Sequence, residues 1–107
     1  MAKKGSNKLT YKKIQDYLDI LKIHGVDIWR VYLYGSYVKG QQTQDSDIDL
    51  AIFLDTDEID GFEEDALFMK LRRKIDLRIE PHSFAKTDFD QTNPVVKEII
   101  KTGERIL

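Results

Sequence analysis

The stretch GSYVKGQQTQDSDIDL, residues 35–50, follows the apolar segment IWRVYLY of residues 28–34 and leads into a second alternating segment. It places a glycine–serine turn ahead of an Asp-x-Asp pair, Asp47 and Asp49. Glycine lets the backbone approach a ligand closely, and serine supplies a backbone N–H and a hydroxyl. Side chains two residues apart in a strand lie on the same face of a sheet. The stretch therefore predicts a phosphate-binding turn beside a pair of carboxylates that bind divalent metal, as phosphoryl or nucleotidyl transfer requires.

The composition of the chain narrows the class of protein further. Its 107 residues suit one small domain, and 17 Lys and Arg against 19 Asp and Glu give a net charge of -2. This balance argues against nonspecific nucleic-acid binding as the main activity. The absence of cysteine excludes disulfides and thiolate metal sites and fits a reducing cytoplasm. No apolar run approaches the roughly 18 residues that span a membrane, so we expect a cytoplasmic protein without membrane association.

The small, polar and basic residues 1–8 predict a disordered N-terminal arm, and hydrophobic periodicity predicts one domain over residues 9–107. The predicted elements of the domain are a helix over 10–24, strands over 28–34 and 48–54, a helix over 59–74, a strand over 75–80 and a helix between Asn93 and Gly103. The order α-β-β-α-β-α predicts an α+β (α/β) fold in which the helices pack on one face of a small mixed sheet.

Three carboxylates are expected to converge on the sheet face opposite the core. Ile48, Leu50 and their alternating successors form the apolar side of the second strand, so Asp47 and Asp49 lie opposite. Asp76 has the same relation to the apolar residues of the predicted third strand. Charges roughly 7 Å apart repel by about 2–3 kcal/mol at an effective dielectric near 20, and a hard divalent cation relieves that repulsion. We predict a Mg²⁺ site formed by Asp47, Asp49 and Asp76, because Mg²⁺ favours sparse carboxylates completed by water and phosphates.

The acidic motif admits two other interpretations. Asp45, Asp47 and Asp49 have the 1-3-5 spacing of an EF-hand loop, but Leu50 and Thr56 stand where that loop needs glycine and glutamate. A solvent-facing pair without a ligand is the simpler interpretation of an isolated Asp-x-Asp. The upstream glycine–serine turn and the third acid favour the metal site over this simpler interpretation.

Gly35, Ser36 and Lys39 are candidates for contacts with phosphate. Gly-Ser is a common turn dipeptide, and it is informative here because an anion site at a helix N-terminus would lie beside the predicted metals. Lys39 either reaches a phosphate as a point charge or is an ordinary surface lysine, and the sequence leaves both open.

The GSxxxG motif of residues 35–40, followed by SDIDL at residues 46–50, resembles the signature of the DNA polymerase β-like nucleotidyltransferase superfamily. The short chain is most similar to its minimal prokaryotic members, and the resemblance runs from about residue 10 to the C-terminus. It implies Mg²⁺-dependent transfer of a nucleoside monophosphate from a nucleoside triphosphate, with ATP expected, to an acceptor hydroxyl. The implied nucleotide-binding residues are Gly35, Ser36, Lys39, Gly40 and Ser46. The implied catalytic and metal-binding residues, for a two-metal site, are Asp47, Asp49 and Asp76.

The third carboxylate of this set has two candidates. The family carries it in a later strand of the form apolar-Asp-apolar, which the residues around Asp76 match. Glu80 shares the predicted face of Asp76 and is the alternative. Asp76 is preferred because Glu80 abuts Pro81, which is expected to end the strand.

The resemblance also implies a partner. Relatives of this size often work beside a separate helical protein of the HEPN type in toxin–antitoxin pairs, and some modify that protein by nucleotidylation. The predicted acceptor is therefore a hydroxyl of a partner protein. The alternative is a non-catalytic nucleotide- or partner-binding antitoxin-like module that masks its partner. A homodimer is a further expectation, because the sheet is predicted to be open on one face.

Overall fold

The computed structural model describes the backbone of residues 2–38, 40, 46–90 and 93–107, and side chains in those ranges from residue 8 onward. Lys39 and Asp45 of the sequence predictions lie outside the described residues. The helices are α1 (Ala2–Ile23), α2 (Phe62–Arg72) and α3 (Pro94–Thr102). The strands are β1 (Ile28–Tyr34), β2 (Ile48–Leu54), β3 (Ile79–Ala85) and β4 (Glu104–Arg105), and single 3₁₀ turns over Gly35–Tyr37 and Lys86–Asp88 follow β1 and β3.

The strands form one mixed sheet in the order β3-β2-β1-β4. Strand β1 runs antiparallel to β2 and to β4, whereas β2 and β3 are parallel. In this register Tyr34 lies opposite Asp49 on one side, and Glu80 lies beside Asp49 on the other. The α+β fold class predicted from the sequence is confirmed.

The sheet is covered on both faces, which corrects the prediction that all helices share one face. Ile48, Leu50 and Ile52 of β2 belong to a core with buried residues of α1 and α2. The alternate residues Ala51 and Phe53 belong to a second cluster, which α3 covers with Val96 and Ile99. The second face carries apolar side chains of its own, so it needs a helix of its own.

Helix α1 extends over residues that were predicted to be a disordered arm. It begins at Ala2 instead of residue 10, and the helical backbone runs through Gly5. Alanine and lysine are good helix formers, and one glycine costs only about 1 kcal/mol. The domain boundary at residue 9 remains a prediction. Within the described residues, no helix combines the length and apolar composition needed to cross a bilayer.

Strand β3 lies further along the chain than the sequence predicted. It spans Ile79–Ala85 instead of residues 75–80, so Pro81 is inside the strand and does not end it. Proline is tolerated there because β3 is an edge strand, which leaves one side of its backbone without a ladder to complete. Asp76 precedes β3 in a turn, in which its Oδ1 accepts a hydrogen bond from Arg78 N at 2.8 Å.

Candidate active site

Gly35 and Asp49 meet where β1 ends. Gly35 has φ +79°, in the left-handed region that favours glycine, and it opens the 3₁₀ turn directly after Tyr34. The Asp49 carboxylate packs over the Gly35 Cα, so a Cβ at this position would overlap Asp49 Oδ2 and lie 3.3 Å from Cγ. Backbone conformation and the space left by Asp49 therefore both require glycine at position 35.

Two neighbouring carboxylates act on that of Asp49 near the start of β2. Asp47 immediately precedes β2 and is exposed, while Asp49 lies in β2 beside Glu80 of β3. Burial raises the pKa of Asp49, and the charge of Asp47 raises it further. His82 opposes this rise and Glu80 adds to it. The site therefore concentrates negative charge, which a bound cation would relieve.

Asp76 has a different environment. Its carboxylate accepts hydrogen bonds from Lys13 Nζ at 2.8 Å and from Arg78 Nη2 at 2.9 Å. These contacts, with Arg78 as the largest, hold the pKa of Asp76 well below its usual range. The alternation that predicted Asp76 on the face of Asp49 does not apply, because Asp76 is outside the strand. The strand register instead places Glu80, the alternative acid, next to Asp49.

The fit of these residues to Mg²⁺ follows from the donor set. Among the described residues, no group of three or more His, Asp or Glu side chains is arranged so that it could hold a metal ion by itself. Mg²⁺ commonly binds through one or two carboxylates and takes water and substrate phosphates for the rest of its shell. Asp47 and Asp49 supply hard oxygen ligands and excess negative charge. They fit a Mg²⁺ ion that binds together with a nucleotide better than an all-protein metal cage.

The predicted phosphate-binding residues lie along the turn and the approach to β2. Ser36 is the central residue of the turn, and Ser46 stands just before Asp47; both are partly exposed. Gly40 has φ +70°, which again favours glycine. The turn itself is a single 3₁₀ turn closed by Val38 N–H on the Gly35 carbonyl. Phosphate contacts would therefore come from a tight turn, not from the longer helix N-terminus that was expected.

Two residues beside Asp49 were not among the site residues predicted from the sequence. Burial, assisted by the charge of Asp49, raises the pKa of Tyr34 to about 12. The ring of His82 lies 6.2 Å from the ring of Tyr34, and His82 is an exposed residue of β3, although a loop was expected there. The strands that carry Tyr34 and Asp49 were predicted, but their pairing was not. The place of His82 depends on the register of β3, which was misplaced because Pro81 was expected to end the strand.

A cleft adjoins the turn on the side of α3. It has a volume of ≈ 360 Å³ and opens between the end of β1 and one side of the helix. Its lining residues are Tyr34, Gly35, Pro94, Val95, Glu98, Ile99 and Thr102. Gly35 thus contacts Asp49 and also lines a cleft that is large enough for part of a ligand.

Two of three comparisons with known proteins gave a match. The sequence model of the family described as "Polymerase beta, Nucleotidyltransferase" matches residues 12–107. A comparison with curated proteins gave no significant match. A chain of the solved structure described as "Crystal structure of the toxin-antitoxin with AMP-PNP" is similar, with a TM-score of 0.57 and 25% identity, over 91% of this chain and 72% of that chain. The family match includes the turn, the acidic pair and β3, and the chain belongs to the polymerase β-like nucleotidyltransferase family.

Proposed function

We propose that this protein is a Mg²⁺-dependent nucleotidyltransferase that moves a nucleoside monophosphate from a nucleoside triphosphate to a hydroxyl of a partner protein. The observation that carries the proposal is the packing of the Asp49 carboxylate on Gly35. Asp47 lies two residues before Asp49 in the chain, and Glu80 lies beside Asp49 in the sheet. This packing brings the proposed phosphate-binding turn into contact with the strand that carries the proposed metal ligand Asp49. Membership of the family supports the reaction class.

Each group at this junction has an assigned role. Ser36 would bind the β- and γ-phosphates through its hydroxyl and the backbone of the turn, and Asp47 and Asp49 would hold Mg²⁺. In a two-metal site, Mg²⁺ would stabilise the attacking and leaving oxygens of an in-line displacement. The further nucleotide contacts are assigned to Gly35, Lys39, Gly40 and Ser46.

Glu80 takes the role of third carboxylate in this proposal, in place of Asp76. It lies on β3 beside Asp49, and its Oε1 accepts a hydrogen bond from Arg72 Nη1 at 3.1 Å. This bond orients the Glu80 side chain. We propose that the second carboxylate oxygen of Glu80 accepts the proton of the acceptor hydroxyl.

The structural neighbour supports the proposal that this protein binds a nucleotide and a partner protein. That protein was crystallised with AMP-PNP and is described as a toxin–antitoxin. We extend both features to this chain, with ATP as the nucleotide and a HEPN-type helical protein as the partner and acceptor. The same neighbour favours the second candidate function, a non-catalytic antitoxin-like module that binds a nucleotide or its partner and acts by masking that partner.

Calorimetric titration with AMP-PNP, with and without Mg²⁺, tests the proposal. The wild type is compared with the double variant Asp47→Asn/Asp49→Asn and with Asp60→Asn, an exposed acid outside the site. We expect Mg²⁺-dependent binding in the wild type and Asp60→Asn, and its loss in the double variant. Transfer of labelled AMP from ATP to a co-purified partner then tests catalysis. If the protein binds its partner but neither binds nucleotide nor transfers AMP, the proposed enzymatic activity is overturned and the masking module is favoured.

A further inference from the structure

We infer that Arg78 is a positioning residue that holds the Gly35–Tyr37 turn against β2, and that Asp76 acts by orienting Arg78 and not by binding metal. This inference rests on the proposed function, since the turn and β2 carry the proposed nucleotide and metal contacts. It assigns a role to two charged residues that the proposed chemistry does not use.

The side chain of Arg78 anchors the far end of the turn. Its Nη1 donates a hydrogen bond to the Tyr37 hydroxyl at 3.2 Å. Tyr37 is the last residue of the turn, and its side chain is buried in the core shared with α1 and α2. The turn is therefore held at both ends, at Gly35 by the packing of Asp49 and at Tyr37 by Arg78.

The backbone of Arg78 reaches the acidic strand. Its carbonyl accepts a hydrogen bond from Ile48 N at 2.8 Å, and Ile48 lies between Asp47 and Asp49. Arg78 is thus bonded to the turn through its side chain and, through its backbone, to the residue that separates Asp47 from Asp49. A change in the position of Arg78 would alter the spacing between the proposed phosphate and metal contacts.

Asp76 fixes the orientation of the guanidinium. Its carboxylate accepts hydrogen bonds from Arg78 Nε at 3.1 Å and Nη2 at 2.9 Å, and from the Arg78 backbone N–H. Lys13 of α1 adds a second cation at 2.8 Å. Several bonds to a planar guanidinium hold its orientation in a way that a lysine ammonium could not reproduce. The same bonds occupy the oxygens that a metal ion would need.

Tyr37→Phe is the most selective test, because it removes only the oxygen that receives Arg78 and leaves the charge of Arg78 in place. The measurement is the Kd for AMP-PNP with Mg²⁺, together with amide hydrogen exchange over residues 36–38. We expect binding to weaken about 2- to 12-fold, the equivalent of one hydrogen bond, and the turn amides to exchange faster. Tyr11→Phe removes a comparable tyrosine bond, to Glu104 at 2.7 Å, and should change Tm without changing Kd.

Asp76→Asn separates a positioning role from a metal ligand. The measured quantity is the ratio of the Kd without Mg²⁺ to the Kd with Mg²⁺. We expect Asp76→Asn to weaken binding several-fold and keep this ratio, whereas Asp49→Asn should abolish it. Asp76→Glu should recover part of the lost affinity.

The outcomes distinguish this inference from the proposed function. If wild type binds Mg²⁺–AMP-PNP and Tyr37→Phe binds it equally well with unchanged exchange, the positioning role is overturned and the proposed function stands. If Asp76→Asn binds AMP-PNP equally well with and without Mg²⁺, Asp76 is a metal ligand, and the inference is overturned. If wild type binds no nucleotide, the proposed function fails and the inference falls with it.

Discussion

At position 35 the backbone conformation and a neighbouring carboxylate both require glycine. Gly25 has a similar φ, +86° against +79°, but a Cβ there would meet nothing within 4 Å. The two positions therefore separate the cost of a left-handed backbone from the cost of displacing Asp49. This pair shows how one residue type serves a helix end in one place and the proposed phosphate-binding turn in another.

We predict that Gly35→Ala destabilises the protein more than Gly25→Ala does. The left-handed conformation costs an alanine about 1–2 kcal/mol at either site, and Gly35→Ala adds the overlap with Asp49. Urea unfolding measures the difference, and nucleotide titration should show lost binding for Gly35→Ala alone. Equal stabilities and equal affinities of the two variants would contradict the packing of Asp49 on Gly35.

The proposed role of Asp49 comes at a cost in stability. Burial and the charge of Asp47 both raise its pKa, so the ionised form is disfavoured in the ligand-free protein. We predict that Asp49→Asn has a higher Tm than wild type without ligand, and no Mg²⁺-dependent nucleotide binding. Differential scanning calorimetry measures the first and titration the second, with Asp60→Asn as a control for loss of one exposed charge. A lower Tm for Asp49→Asn would show that its contacts outweigh the repulsion.

Among the elements, the two strands that flank the motif were predicted with their observed bounds, β1 (Ile28–Tyr34) and β2 (Ile48–Leu54). Their alternation is a local signal, and both strands lie inside the sheet, where the apolar pattern is strongest. Strand β3 was placed too early because the same local reasoning treated Pro81 as its end. The error arose because a strand at an edge accepts proline, and edge position is not visible in a local pattern.

Helix α3 begins with the cap that the sequence indicates. The Asn93 side chain accepts a hydrogen bond from Val95 N at 2.9 Å, and Pro94 follows at the first helical position. We predict that Asn93→Ala lowers the free energy of unfolding by about 0.5–2 kcal/mol, whereas Asn93→Asp retains most of it. Urea unfolding followed by circular dichroism measures both. An equal loss in the two variants would show that the cap does not stabilise α3.

For the molecule as a whole, the bond between Lys13 and Asp76 joins α1 to the turn that precedes β3. The cations around Asp76 lower its pKa below the unfolded value of 3.8, so its contribution to stability is complete above that value. The contribution is lost as the pH falls below 3.8 toward the lower pKa of the folded protein. Acid therefore weakens a contact that links the first helix to the edge of the sheet.

We predict that Asp76→Asn loses about 1.5–3 kcal/mol at neutral pH, the range for hydrogen bonds to charged groups. The difference from wild type should stay constant between about pH 5 and 7 and narrow below pH 4, as the linkage requires. Urea unfolding at a series of pH values measures it. Asp16→Asn, which removes the exposed pair with Lys12, is the control and should cost less than about 0.5 kcal/mol. A difference that grows on acidification would contradict the assigned cause.

The sequence alone determined the Gly35-Ser36 turn, the acidic pair, the strands on either side and the family to which they belong, because each depends on residues close together in the chain. Tertiary structure decided which acid joins Asp49, since the pairing of β2 with β3 brings Glu80 beside it and leaves Asp76 with Lys13 and Arg78. Strand pairing is a non-local choice, made by burial on both faces of the sheet, and a shift of a few residues exchanges one candidate carboxylate for another.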